Sequence, residues 1–241
     1  MTLQAAVYDV QLGDEMVKSA VTTNSQSKSN VSRIAARVAF VASAIFMLLL
    51  AALHVLKPGL DPSWRFISEY ELGDYGWVMR VAFFSLSLSC FSLCVALISQ
   101  VRGVAGYLGL ALVLLAAVGM TIAGIFAPDR VNKLHEVGAM LDHLPFGALL
   151  INWSLSRNEA WRPARRMLLY TAGLPLLGLV IFVASMVIML PRNGGQPGPE
   201  VLVGWPNRLM ILAHCAWLMP VAWYTITLKS WGTTQGSDSP S

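Results

Sequence analysis

Polar residues along this chain fall mainly into short breaks between long apolar runs. Six runs reach the roughly 20 residues that a helix, rising ~1.5 Å per residue, needs to cross a ~30 Å hydrocarbon layer. They lie at about 36–56, 78–99, 104–127, 135–155, 167–190 and 209–228. This pattern predicts an all-α integral membrane protein, a bundle of six transmembrane helices with both termini cytoplasmic. It divides the chain into a flexible cytoplasmic tail (1–32), a six-helix transmembrane domain (33–229) and a flexible C-terminal tail (230–241). The leading segment is polar and mixes acids with lysines. Its first apolar run starts late and has full spanning length, unlike the short core of a cleavable signal peptide.

Composition strengthens the reading. Of 241 residues, 56% are hydrophobic and 12% charged, with a mean hydropathy of +0.60, which is too apolar for an ordinary soluble domain. A soluble catalytic domain is excluded, so any chemistry is expected in the short loops or between the helices. Cys90, Cys94 and Cys215 all fall within predicted spans and read as small packing residues. The net charge is +4, but its distribution says more than its size. With the N-terminus inside, ten of the 17 Lys and Arg face the cytoplasm, as the positive-inside rule requires. The basic loop RNEAWRPARR, residues 157–166, is the clearest anchor.

The loops after spans one and five are the longest and hold most of the Pro, Gly and Trp. Both lie on the outer face in this topology, and loops carry function more often than scaffolds do. In span three, Ala105 and Gly109, and again Gly119 and Ala123, are four apart, a spacing that lets helices approach closely in lipid. Span five is the most uniformly apolar, with Gly173, Pro175 and Gly178 permitting a bend, and is expected to face lipid.

Span four departs from the pattern, because it carries Glu136, Asp142, His143 and Asn152. Ionisable groups at membrane depth are costly unless paired or facing a cavity. This helix is therefore expected to face the bundle interior. His135 and Asp142, seven apart, share one stripe, and Glu136 and His143 the next. Other polar groups point to the same outer end: His54 closing span one, Asp129 after span three, Arg208 opening span six, with His214 deeper. Structural roles compete for each of them. Asp129 would serve as a helix cap, and Arg208, Lys57 and Arg65 would snorkel to headgroups.

The stretch FISEYELGDYGW, residues 66–77, concentrates acids and aromatics between spans one and two. Ser68-x-x-Glu71 has the form of a capping box that starts a short interfacial helix ended by Gly73. Trp64, Tyr70, Tyr75 and Trp77 would belong to the aromatic belt at headgroup level. A cap has no use for Glu69, which is left to pair with Arg65 or Arg208 or to act chemically.

Four blocks in fixed order, HxxxPGLDPSWRFISEYELGDYGWVM, AGIFAPD, LHEVGAMLDH and GWPNRLMILAHCAW, resemble the bacterial six-helix membrane family catalogued as domain of unknown function 998. The resemblance spans roughly residues 36–228. It implies six helices in the cell inner (plasma) membrane and directs attention to His54, Pro58, Ser68, Glu69, Gly124, Asp129, His135 and Arg208. It implies no reaction.

Three functional readings follow. In the first, an outer polar pocket binds or modifies a membrane lipid through Arg65, Ser68, Arg208 and Asp142, with Glu69, Asp129 and His135 as candidate catalytic groups. In the second, His54, His135 and His143, with Asp129 or Asp142, hold zinc and activate water for intramembrane hydrolysis. In the third, Asp142, His143 and His214 relay protons in a small carrier. The lipid is the expected partner, and nucleic acid is not.

Overall fold

The computed structural model describes residues 3–128, 133–142, 145–196 and 198–228. Among them are eight α-helices and no strand: α1 Leu3–Leu56, α2 Gly76–Leu97, α3 Gly103–Ile125, α4 Leu134–Asp142, α5 Phe146–Ser156, α6 Arg165–Ala172, α7 Leu174–Met189 and α8 Gly204–Thr227. Short 3-10 turns occupy Ile67–Glu71, Glu159–Ala164 and Leu190–Asn193. The sequence from Leu3 onward is helical and continuous with the first membrane segment, so α1 runs back through the stretch read as a tail. Of the C-terminal tail, residues 230–241 lie outside the described residues.

Among the described residues, five helical stretches are long and apolar enough to cross a membrane: Ser29–Leu56, Gly76–Leu97, Gly103–Ile125, Glu159–Asn193 and Gly204–Thr227. The stretch predicted as span four instead forms two helices. α4 has 9 residues and α5 has 11, so neither crosses a membrane alone at ~1.5 Å per residue. Pro145, the N-cap of α5, has no N–H to continue a helical ladder. The stretch Glu159–Asn193 is also segmented, with α6 giving way to α7 at Gly173 and Pro175 in the first turn of α7. That is the position where the sequence permits a bend. Within α7 only Pro175 and Gly178 are buried, as expected of a helix facing lipid.

In lipid, helix association depends on close packing more than on expelling water, and the glycines show how closeness is reached. A Cβ on Gly138 of α4 would sit 2.8 Å from the carbonyl oxygen of Gly119, and one on Gly109 of α3 would sit 2.9 Å from the backbone nitrogen of Ile151. α4 and α5 thus follow α3 end to end in antiparallel sense. α1 packs on α2 and α8, α2 on α3, and α7 on α8. Buried residues form two layers. One, around Trp161, Trp217, Leu97 and Leu155, lies toward the basic loop 157–166. The other, around Phe46, Tyr70, Met79 and Ile211, lies toward the segment 57–75. Asn152, one of the polar groups of predicted span four, lies in the basic-end layer. It accepts from Trp217 Nε1 at 3.0 Å and donates to the Leu168 carbonyl at 2.8 Å, joining α5, α6 and α8.

Candidate functional site

The segment 57–75 folds back over the end of the bundle, and the first turn of α8 holds it there. Gly204 brings backbone against backbone. Its N–H donates to the Ser63 carbonyl at 2.9 Å, and any Cβ would collide with the Pro62 carbonyl oxygen. Asn207 Oδ1 accepts from Ile67 N at 3.0 Å. Lys57 Nζ donates to the carbonyls of Tyr70 and Leu72. The GWPNR block is therefore a docking turn that grips the segment connecting α1 to α2. Sequence reasoning singled out Arg208 in this block but missed Gly204 and Asn207.

Arg208 is the centre of this end of the molecule and is only 3% exposed. Its Nε donates to His54 Nε2 at 2.9 Å. Nη1 donates to the carbonyls of Pro62, Arg65 and Gly204 at 2.7–3.1 Å, and Nη2 to the Tyr70 hydroxyl at 3.2 Å. Every acceptor is neutral. His54 Nδ1 lies 2.8 Å from the Leu50 carbonyl, which can only accept, so Nδ1 carries the proton and Nε2 is the acceptor for Arg208. Both ring nitrogens are thereby committed, and neither offers a lone pair to a metal.

Glu69 and Glu71 exchange the roles that the sequence suggested. The 3-10 turn Ile67–Glu71 starts one residue before Ser68, so Glu69 takes the capping position, with Oε1 accepting from Phe66 N at 3.0 Å. Its other oxygen pairs with Arg65 at the rim, and the Arg65 guanidinium lies 4.0 Å from the centre of the Trp64 ring. The half-buried Ser68 hydroxyl caps nothing among the described residues. Glu71 points inward instead. Its side chain is fully buried, with Oε2 3.7 Å from His135 Nδ1, and neither carboxyl oxygen has a hydrogen-bond partner among the described residues. Burial pushes its carboxyl up to about 8, opposed in part by the charge of Arg80. One signal could have revealed this. Ile67, Tyr70 and Glu71 are spaced i, i+3, i+4 and share a helical face, and all three are buried.

His135 is 5% exposed, and its Nδ1 donates to the Phe126 carbonyl at 2.7 Å. The next residue, Glu136, turns outward and pairs with Lys133 at 3.3 Å. Of the two adjacent stripes expected to face the interior along span four, the one of His135 turns inward and the one of Glu136 outward. Asp129 and His143 lie outside the described residues, and Asp142 is described only as the last residue of α4. His214 lies deeper in the bundle, 3.4 Å from Cys90 Sγ and against the Trp217 ring. His54 and Arg208 are therefore in direct contact, Glu69 sits at their rim, and His135 lies with Glu71. Among the described residues no three His, Cys, Asp or Glu side chains come together as a metal ion needs.

Beside Arg208 a groove opens between α1, α7 and α8. It has a volume of about 750 Å³. Its walls are Met47, Leu50 and Ala51 from α1, Ile181 from α7, and Leu209 and Leu212 from α8, with His54, Trp205, Pro206 and Arg208 at one end. The trough is thus mostly apolar along its length, with Arg208 at one end.

The model of the family described as proteins of unknown function (DUF998) matches residues 40–224. The match takes in every residue placed in the site above, and the chain belongs to this family. No curated protein and no solved structure matches the chain.

Proposed function

We propose that this member of the DUF998 family crosses a bacterial inner membrane six times, with both termini cytoplasmic, and holds a membrane lipid in the groove between α1, α7 and α8. The groove carries the reading. Its 750 Å³ is walled by aliphatic side chains, and its polar groups gather at the end where Arg208 meets His54. A lipid chain would lie along Met47, Ala51, Ile181 and Leu212, with its headgroup at the Arg208 end. Ligand sites of this volume, mostly apolar with a few placed polar groups, are the usual form of small-molecule pockets.

The sixth crossing would be α4 and α5 taken together, since their contacts follow α3 from Gly119 to Gly106. The basic residues around 157–166 lie at the end opposite the groove's pole, which supports placing that end inside and the pole outside. Two measurements test the proposal. An impermeant maleimide applied to intact cells should label a cysteine placed at the exposed Asp74 and not one at Arg157. A lipid with a photoactivatable acyl chain should crosslink to α1 and α8 at the groove, and Ala51→Phe should remove that crosslink. Labelling spread evenly over the lipid-facing side of α7 and insensitive to Ala51→Phe would refute lipid binding in the groove.

A further inference from the structure

We infer that the lipid in the groove bears an anionic headgroup without a cationic group of its own, with Arg208 as the countercharge. This deepens the groove reading above and rests on it. Arg208 is a buried cation whose partners are three carbonyls, a phenol and a neutral imidazole. No carboxylate of the described residues forms a direct ion pair with its guanidinium; the charge of Arg208 is felt by Asp61, a fully exposed carboxylate, only as the weakest of the influences on it. Of the four acids in the segment 57–75, Glu71 turns to His135 and Asp74 is exposed, and the other two have nearer partners. Glu69 holds Arg65 and Phe66 N, and Asp61, on the exposed side of the loop, accepts from Ser63 N at 2.9 Å.

Buried charges are ordinarily paired, because neutral dipoles replace only part of the lost hydration. Arg208 and His54 line the end of the groove, so a ligand seated there would bring its polar group to this residue. Five N–H donors are available on a guanidinium. His54 takes the one on Nε, the three carbonyls share the two on Nη1, and Tyr70 takes one on Nη2, so the second Nη2 donor has no acceptor among the described residues. His54 contributes an acceptor and no charge. The pole is therefore a fixed cation in apolar surroundings, where attraction for an anion is strong and a choline or ammonium group brought alongside is repelled.

Native mass spectrometry of the delipidated full-length protein tests this directly, using phosphatidylglycerol and phosphatidylcholine with identical acyl chains. Phosphatidylglycerol should bind at least tenfold more tightly at one site. That site should be lost in Ala51→Phe, keep its preference in Arg208→Lys and lose the preference in Arg208→Gln. Equal or reversed affinities, with binding still removed by Ala51→Phe, would overturn the anionic assignment and leave the groove reading standing. Binding of neither lipid responding to Ala51→Phe would overturn both. Displacement of phosphatidylglycerol by free glycerol phosphate would also overturn the inference, by assigning the pole to a soluble phosphate compound. Should Arg208→Gln fail to fold, the phosphatidylglycerol preference of the wild type and of Arg208→Lys decides the matter.

Discussion

Replacing Glu71 with Gln should make the protein more stable at alkaline pH and leave it nearly unchanged at acidic pH. Glu71 is buried, with neither oxygen hydrogen-bonded among the described residues, and its carboxyl is raised from 4.5 to about 8. The folded state therefore keeps a proton that the unfolded chain releases, and stability falls as pH rises through that interval. The contribution of the protonated acid is complete below pH 4.5 and gone above about 8. Integrated over the interval, one such proton amounts to ~3–5 kcal/mol. Gln keeps the shape and neutrality of the protonated acid and cannot ionise. Thermal unfolding in detergent, followed by helical circular dichroism from pH 5 to pH 9, should show a falling midpoint for the wild type and a flatter profile for Glu71→Gln. The two curves should meet near pH 5 and separate progressively above it. His135 sets the competing possibility. If protonated it would pair with ionised Glu71 across their 3.7 Å separation and flatten the wild-type curve, and His135→Gln would then steepen it. A wild-type profile that stays flat in both the presence and absence of His135, or a Glu71→Gln profile as steep as the wild type, would refute the assignment of a protonated buried acid.

Three further outcomes follow from the geometry. Gly204→Ala should release the docked segment 61–67, because its Cβ meets the Pro62 carbonyl; a loss of ~1–3 kcal/mol should appear as faster proteolysis near Pro62. Glu69→Gln should cost less than ~1 kcal/mol, since it breaks a partly exposed pair, and a near-normal melting midpoint would check the contrast with Glu71. Asn152→Ala should leave Trp217 Nε1 unpaired in the core and destabilise by ~1–3 kcal/mol. A double-mutant cycle with Trp217→Phe should return a coupling of ~1 kcal/mol.

The membrane helices were legible because their signal is local: a run of apolar side chains must be long enough to cross, whatever surrounds it. The same holds for the small residues of α3, whose spacing alone placed Gly109 and Gly119 at helix contacts. The break between α4 and α5 was harder to see: Asp142, His143 and Pro145 interrupt the run, but the apolar residues resume at Phe146, so the stretch as a whole keeps spanning length. Residues 66–71 failed for a different reason. Both Ser68-x-x-Glu71 and Phe66-x-x-Glu69 fit the spacing of a cap, and moving the start of the turn by two residues exchanges the exposed acid with the buried one. A local motif could not choose between them. Burial of Ile67 and Tyr70 against the bundle made the choice.

By itself the sequence determined the class of protein, the positions of its long apolar helices, the lipid-facing character of α7 and the importance of Arg208 and His135 as polar groups in costly places. Each of these depends on composition within one helix or on its period. Only the tertiary structure decided what those polar groups meet. Arg208 and His54 are 154 residues apart, and Glu71 reaches His135 from a turn in another loop. Such pairings depend on which helices are neighbours and how far a connecting segment folds inward. Those are properties of the packed bundle, to which no single stretch of sequence is sensitive.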